Sequence, residues 1–279
     1  MKGDFMKKAI HLLIFCLIFA GAVSLLLPLF RQRAAREKES RAVEYYREAV
    51  AEKDSSEIED MLNRARAFND EIAVSSTLVS LTPAEEAAYT SLLDVSGTGI
   101  MGYVDVPGQN IHLPIYHGTG ADVLAKGAGH LESSSLPVGG TGSHSVITGH
   151  TGLDGSILFD NLSKMKVGDT FTVTVLDEAA TYTVDRIDTV SPADTSLLAR
   201  DPARDLSTLV TCIPYGVNDK RLCVQGSRTG TARVTPAPVH GVNPVRTGDT
   251  WAATVVFVLT ILSGLLALFM LRHYMRTKI

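Results

Sequence analysis

Two long apolar segments lie at opposite ends of the chain and limit what it can fold into. Residues 9–30 are apolar apart from His11 and follow three lysines, which is typical of a transmembrane helix or a signal anchor. Residues 251–271 carry no charged side chain, begin with a tryptophan and precede a basic tail at 272–279. We therefore expect a domain of ordinary size between about residues 31 and 250, held between two membrane helices.

The charges that flank the two apolar segments disagree about orientation. The basic C-terminal tail favours a cytoplasmic C-terminus, which places residues 31–250 outside the membrane. Five basic residues within 31–41 outnumber the three lysines before the first segment and favour the opposite orientation. We give the C-terminal segment more weight because only Arg246 opposes its charge asymmetry. The prediction is a cytoplasmic N-terminus at 1–8 and a domain on the extracytoplasmic face of the cell membrane.

Composition and motif content argue against several function classes. The formal net charge is -4, and no dense Lys/Arg patch interleaves with aromatic residues, so nucleic acid is not an expected partner. The chain has no Cys-x-x-Cys, no His-Glu-x-x-His and no phosphate-cradling loop, so neither a metal nor a cofactor is expected. The three cysteines are too few for a disulfide framework, because Cys16 lies in the first apolar segment. Of the other two, Cys223 fits a small buried side chain.

The first part of the middle region has a helical pattern, and residues 31–84 are predicted to form a helical extension. Ser56 and Glu59 have the spacing of a capping box. After them, apolar side chains recur at helical spacing and predict a stripe that packs on the domain's own surface: Ile58, Met61, Leu62, Ala65 and Phe68. The run Thr82–Glu85 supplies an N-cap, a first-turn proline and a glutamate, which predicts a short helix ending near residue 93.

From Gly99 to Val224 the pattern changes to short β-rich runs separated by Gly, Pro, Asn and Asp. The predicted strands cover residues 100–106, 111–116, 145–148, 170–176, 181–190, 207–212 and 221–225. Short helical interruptions are expected at 154–164 and 194–199. Several short strands of this kind indicate a barrel or a sandwich. The stretch after Gly226 predicts an extended tether to the membrane.

Cys212 and His150 are the leading candidates for chemistry. Cys212 ends the apolar run Leu-Ser-Thr-Leu-Val-Thr-Cys, which places a thiol at a strand end, although a buried packing cysteine would fit the same position. A nucleophilic thiol needs an imidazole nearby or a lowered pKa. His150 leaves a β-run in a Gly-His-Thr-Gly turn, which suits proton transfer. His130 and His144 remain competing candidates for that role.

Arg221 begins the predicted strand after the turn that follows Cys212. Two antiparallel strands joined by this turn would bring the guanidinium near the sulfur, where its N–H groups could donate to a developing oxyanion. A solvated arginine at a strand start explains the same residue, and the residues alone leave that alternative open.

Three motifs, in this order along the chain, resemble the sortase family. Thr-Gly-His150-Thr-Gly-Leu is similar to the segment around the sortase histidine, Thr-Leu-Val-Thr-Cys212 to the Thr-Leu-x-Thr-Cys signature, and Arg221-Leu-Cys-Val to the strand with the sortase arginine. Further runs resemble class C, pilus-type sortases: Met101-Gly-Tyr-Val, Leu113-Pro-Ile-Tyr-His-Gly, Gly127-Ala-Gly-His-Leu and Ser135-Leu-Pro-Val-Gly-Gly. The resemblance covers roughly residues 85–228.

The resemblance implies a mostly β fold. An eight-stranded sortase-type β-barrel with short helices would occupy 85–228, followed by a tether at 229–250. Cys212 would be the nucleophile, His150 its proton-transfer partner and Arg221 the cation on the oxyanion side. The implied partners are pilin or surface proteins with a Leu-Pro-x-Thr-Gly-like sorting signal, which is cleaved between Thr and Gly through a thioester. A Lys amine of a pilin subunit would then receive the acyl group.

Two alternatives and one departure accompany this reading. A housekeeping-type sortase would attach surface proteins to the peptidoglycan cross-bridge, and a non-catalytic membrane-tethered binding barrel would not need Cys212. Class C sortases often carry an Asp-Pro-aromatic motif in a lid over the cysteine, and residues 70–83 contain none. A lid in this segment is therefore only a hypothesis.

Overall fold

The computed structural model describes residues 2–72, 81–152, 158–214 and 216–234. The larger of two compact units spans Ala35–Val239. The helices are α1 (Lys2–Ala51), α2 (Ser55–Ile72), α3 (Pro83–Ser91) and the short α4 (Ala121–Leu124). The second apolar segment at 251–271, the tail at 272–279, most of the tether at 229–250 and most of the possible lid lie outside the described residues.

Helix α1 continues without interruption from the first apolar segment into the predicted extension. Its segment Leu17–Ala51 contains an 18-residue window with a mean hydropathy of 1.3, which is long and apolar enough to cross a membrane. Many apolar side chains in the N-terminal part of α1 are exposed: Ile10, Phe15, Leu17, Phe19, Leu25 and Phe30. Length and composition thus agree with the predicted N-terminal anchor.

The C-terminal part of α1 and all of α2 pack against the β-barrel. Tyr46 of α1 is fully buried; its hydroxyl donates to the Met101 carbonyl (3.0 Å) and accepts from the Leu176 N–H (2.8 Å). The predicted α2 stripe lies in the same apolar core as the strands: Ile58, Leu62, Ala65 and Phe68, with Met61 at its edge. The helical extension is therefore part of the domain's core.

Side-chain caps set where α2 and α3 begin. The Asp54 carboxylate accepts the N–H groups of Ser56 (2.8 Å) and Glu57 (2.9 Å), and Glu57 accepts the Asp54 N–H (3.0 Å). The predicted capping box of α2 is thus wrong by two residues, because an equivalent pair with the same spacing precedes it. The predicted box of α3 is confirmed, since Thr82 and Glu85 cap each other's backbone N–H groups.

Eight strands of the described chain close into a barrel in the order β1-β2-β3-β4-β7-β8-β6-β5, which confirms the expected fold class. Their bounds are β1 Ile100–Val106, β2 Ile111–His117, β3 Ala128–His130, β4 His144–Thr148, β5 Thr170–Val175, β6 Glu178–Val190, β7 Leu206–Ile213 and β8 Lys220–Arg233. Only the β2–β3 and β4–β7 pairs are parallel. Single 3₁₀ turns occur at Pro107–Gln109, Leu162–Lys164 and Ser196–Leu198.

Two features of the barrel differ from the sequence prediction. Strand β3 was missed because its three residues, Ala-Gly-His, have low intrinsic β-propensity and are extended only by pairing with β2 and β4. Strand β8 runs five residues past the predicted barrel end at 228, and its last residue, Arg233, pairs with Glu178 of β6. The long β6 partner keeps this polar stretch in the sheet, although its composition is typical of a tether.

The strands β4, β7 and β8 have two distinct faces. Leu209 of β7 and Val224 of β8 belong to the main core inside the barrel. The alternate residues Val210 and Cys223 pack instead with Val146 and Leu197 in a small cluster on the outer face. Leu197 comes from the connection between β6 and β7, so this connection lies over part of the outer face.

Candidate active site

Cys212 and Arg221 are direct partners across the antiparallel pair β7–β8. Residues opposite each other in such a pair carry their side chains on the same face of the sheet. Alternation puts Cys212 on the face of Val210 and Arg221 on the face of Cys223, which is the outer face. Both candidate residues are half-buried there. Strand register therefore places Cys212 and Arg221 side by side on the same face of the sheet.

The second thiol of the barrel has a different environment. Cys223 pairs with Val210, two positions along β7 from Cys212, and both cysteines are free. Such diagonal neighbours lie roughly 7–8 Å apart, beyond the usual Cα separation of a disulfide. Burial raises the pKa of the Cys223 thiol to about 11. Cys223 is a packing residue, as its sequence context predicts.

His150 follows β4, and its neighbours are bound to the strand that carries Cys212. The Gly149 N–H donates to the Val210 carbonyl (3.0 Å), and the Thr211 hydroxyl donates to the Gly149 carbonyl (2.7 Å). The Thr211 hydroxyl also lies 2.5 Å from that of Thr151. The residues on both sides of His150 are thus hydrogen-bonded to the two residues before Cys212, and His150 itself is half-buried.

Phe159 and Asp160 hold the far side of the His150 turn. Phe159 donates its N–H to the His150 carbonyl (3.0 Å), and a Cβ at Gly149 would meet the Phe159 ring at 2.8 Å, so this close approach needs glycine. The Asp160 carboxylate accepts the Gly152 N–H at 3.1 Å. Residues 153–157, which include the start of the predicted helical interruption at 154–164, lie outside the described residues.

Arg221 is fixed at one end of its guanidinium. Its Nη1 donates to the carbonyls of Asn218 (3.1 Å) and Lys220 (3.0 Å) in the β7–β8 turn. No carboxylate among the described residues pairs with Arg221. Its Nε and Nη2 atoms donate no hydrogen bond to any described residue. Its Nε and Nη2 groups therefore remain free to donate to an added acceptor.

The two competing histidines are buried, with both ring nitrogens occupied. His130 contacts the Tyr89 hydroxyl through Nδ1 (3.0 Å) and the Ser135 carbonyl through Nε2 (2.8 Å). His144 contacts the Ala199 carbonyl through Nδ1 (2.8 Å) and the Thr208 hydroxyl through Nε2 (2.7 Å). Both rings are fully enclosed and serve to join segments of the barrel. Of the three candidates, His150 is the one that is only partly buried.

Burial of His130 predicts a loss of stability in acid. Desolvation lowers the pKa of His130 from 6.5 to about 4. Between these values the folded protein binds fewer protons than the unfolded chain, so the free energy of unfolding falls as pH decreases. We expect His130 to contribute about 3 kcal/mol to this fall between pH 6.5 and 4. Thermal unfolding of the wild type and His130→Gln across this range should show a flatter pH dependence in the variant; parallel curves would contradict the assignment.

The arrangement as a whole suits acyl transfer. A thiol can attack a carbonyl carbon, an imidazole can move the proton, and guanidinium N–H groups can donate to the oxyanion that forms. Thr211, Phe159 and Asp160, which hold the His150 turn, were not singled out from the sequence. The one sequence feature that could have indicated a role for Thr211 is its position immediately before Cys212.

Comparisons with known proteins show which proteins the chain is similar to. A family model described as the sortase domain matches residues 104–229. The chain is 45% identical to sortase C1 of Streptococcus agalactiae, with a TM-score of 0.67 over 68% of this chain and 98% of that one. It is 37% identical to Streptococcus pneumoniae sortase C (TM-score 0.60; 70% and 100% covered). It is 36% identical to Clostridium perfringens sortase C, solved with the C-terminal cell wall sorting motif (TM-score 0.59; 68% and 99% covered).

Curated relatives match over a shorter part of their length. Proteins named sortase A or sortase D are 26–32% identical to the chain, which spans 47–63% of their length. The chain therefore spans a larger share of the solved class C structures than of these curated relatives.

Proposed function

Because the chain belongs to the sortase family, we propose that it is a cysteine transpeptidase in which Cys212, His150 and Arg221 act together at the end of β7. The observation that carries the proposal is the register of β7 and β8, which makes Cys212 and Arg221 direct partners. The hydrogen bonds that join the His150 turn to Val210 and Thr211 support the inclusion of His150 in this group.

The proposed reaction has two acyl-transfer steps. The Cys212 thiolate attacks the Thr carbonyl carbon of a Leu-Pro-x-Thr-Gly-like signal, and Arg221 donates hydrogen bonds to the oxyanion. The Thr–Gly bond breaks, and the departing Gly amine takes a proton from the His150 imidazolium while a thioester forms. A second amine then attacks the thioester, gives its proton to His150 and releases the Cys212 thiolate. The net change is exchange of one amide bond for another, without a cofactor.

The proposed substrates are pilin subunits, with a Lys side chain as the second amine. Support comes from the class C neighbours: the Streptococcus pneumoniae structure is described as giving insight into pilin substrate specificity, and the Clostridium perfringens structure was solved with the C-terminal cell wall sorting motif. The proposed setting is the extracytoplasmic face of a cell membrane, with α1 as an anchor. Sorting signals on surface proteins are the natural substrates for an enzyme in that position.

An assay with two amines tests this proposal. The full chain in detergent is incubated with a Leu-Pro-x-Thr-Gly peptide and either a pilin-type peptide containing Lys or a cross-bridge-type peptide with a free N-terminal amine. Mass spectrometry should detect a product joined to the Lys side chain. A product with the N-terminal amine alone would favour cell-wall anchoring, and no cleavage at all would favour a non-catalytic binding barrel.

Thr211 is expected to act as a positioning residue for His150. Thr211→Val keeps the side-chain shape but removes the hydrogen bonds to Gly149 and Thr151. We expect kcat to fall about tenfold, with little change in the KM for the sorting peptide, because a misplaced acid–base group slows proton transfer. Thr211→Ser restores the hydroxyl and should restore most of the rate. Equal kcat values for Thr211→Val and the wild type would show that these hydrogen bonds do not position His150.

A further inference from the structure

A cavity of about 390 Å³ lies at the end of the sheet away from Cys212. It is lined by part of α2, by the glycine-rich turn 138–143 that leads into β4, and by Arg200 and Arg228. Strand β7 begins there, at Leu206, and Cys212 lies six residues further along. At a rise of roughly 3.3 Å per residue, about 20 Å separate the two ends of this strand. The cavity is therefore separate from the candidate active site.

Three arginines line this cavity, and they differ in their partners. Arg66 donates from Nη2 to both carboxylate oxygens of Glu178 at 3.1 Å. Arg228 pairs with Asp205 at 3.0 Å. Arg200 has no carboxylate partner among the described residues, and its one hydrogen bond to them goes from Nη1 to the Asn69 carbonyl at 3.3 Å. Two of the cations are thus neutralised and held in place, and the third is not.

The unpaired Arg200 lies in an unfavourable environment for a cation. Its side chain is half-buried, and this desolvation lowers the pKa of the guanidinium, which still keeps its charge at neutral pH. A partly desolvated charge is costly unless an opposite charge compensates it. The residues that follow α2, at 73–80, contain no acidic side chain. An external anion in the cavity would supply the missing charge.

The glycine-rich turn adds backbone donors to the same wall. Gly139, Gly140 and Gly142 all have positive φ, at 71°, 122° and 84°. The N–H groups of Gly139 and Thr141 donate to no described residue, whereas Gly140 donates to the Asp205 carboxylate at 2.7 Å. Free backbone N–H groups in a turn of this kind form concavities that suit anions.

Close packing fixes the turn against one of the arginines. A Cβ at Gly139 would lie 2.0 Å from Nη1 of Arg228, so only glycine lets the guanidinium approach the turn. The Asp205 carboxylate joins the turn to Arg228, because it accepts hydrogen bonds from the Gly140 N–H and from the Arg228 guanidinium. The donors on this wall are therefore held in position before any ligand arrives. The one acidic side chain that lines the cavity, Asp70, is exposed.

We propose that this cavity binds an oxyanion, the phosphate or carboxylate group of a small ligand, with Arg200 as its main charge partner. Arginine recognises both groups through paired N–H donors, and the turn 138–143 supplies further N–H groups beside it. This inference goes beyond the transpeptidase proposal, because the cavity shares no residue with the Cys212 site.

Titration of the full chain in detergent tests the proposal. Protein labelled with ¹⁵N-glycine is titrated with inorganic phosphate and, separately, with acetate, at an ionic strength kept constant with chloride. We expect saturable shifts of the Gly139 and Gly140 amide signals with at least one anion, and that anion identifies the group. Arg200→Gln should raise the Kd about tenfold, because one charge-assisted interaction is lost.

Three further variants make the outcome decisive. Arg64 is an exposed arginine of α2 that does not line the cavity. Arg64→Gln should therefore keep the wild-type Kd. Arg200→Lys keeps the positive charge and should bind more tightly than Arg200→Gln. Cys212→Ala should bind like the wild type, so failure of the transpeptidase proposal would not affect this result. Shifts that do not saturate with either anion, or an unchanged Kd in Arg200→Gln, would overturn the oxyanion site.

Discussion

Replacing Cys212 with alanine should abolish both peptide cleavage and amide transfer, with a loss of roughly 10⁴-fold or more in kcat. The side chain is half-buried at the end of β7, so its removal leaves a small space and should not unfold the barrel. The loss follows because no other described group at this position can form the thioester. Mass spectrometry of the two-amine reaction measures cleavage and transfer separately.

Cys223→Ala is the matched control for this prediction. It removes the other thiol of the β7–β8 pair, which is buried in the outer apolar cluster and has a pKa raised to about 11. We expect Cys223→Ala to lose some stability and to keep its thioester chemistry. Equal product from Cys212→Ala and the wild type would remove the catalytic assignment of Cys212.

Replacing Arg221 with alanine should lower kcat/KM by about 10²–10³-fold while the fold is retained. Its Nη1 is bound to the carbonyls of Asn218 and Lys220, and Arg221 is the direct strand partner of Cys212, so we expect the other N–H groups to serve the oxyanion. Donors held in this way stabilise the charge of the transition state more than the ground state. Steady-state rates with the sorting peptide measure the loss, and circular dichroism checks the fold.

Two variants separate the guanidinium's geometry from its charge. Arg221→Lys keeps a cation but loses the planar fork, so we expect a rate much nearer to that of Arg221→Ala than to the wild type. Lys220→Ala removes the neighbouring cation of the same strand, which is exposed, and should change kcat/KM less than twofold. A near-normal rate for Arg221→Ala would contradict a catalytic role and favour the alternative that Arg221 is a solvated arginine at the start of a strand.

Local patterns in the sequence predicted much of the secondary structure. The α2 stripe and the α3 cap were confirmed, because helical spacing and cap spacing involve residues within a few positions of each other. The same locality explains the error at the start of α2, where two overlapping residue pairs fit the capping pattern. Strand β3 was missed because nothing in Ala-Gly-His favours a strand before its neighbours are in place.

The candidate histidines illustrate what sequence reasoning could not decide from the residues alone. The local context of His150, in a turn after a predicted strand, favoured it, but the sequence did not exclude His130 or His144. Packing distinguishes the three, because it encloses His130 and His144 with both nitrogens bonded and leaves His150 partly accessible. The motif resemblance selected His150 by order along the chain, and the structure supplies the physical reason why it is the available one.

The sequence by itself determined the β class of the domain, its apolar N-terminal segment and the identity of three candidate residues. Tertiary structure alone decided that Arg221 and not Cys223 lies opposite Cys212, and that Thr211 holds the His150 turn. It also assembled Arg200 and the glycine-rich turn into one cavity. The reason is physical: propensity and periodicity act between residues close in the chain, whereas register, burial and the pairing of charges depend on segments that meet only after the barrel has closed.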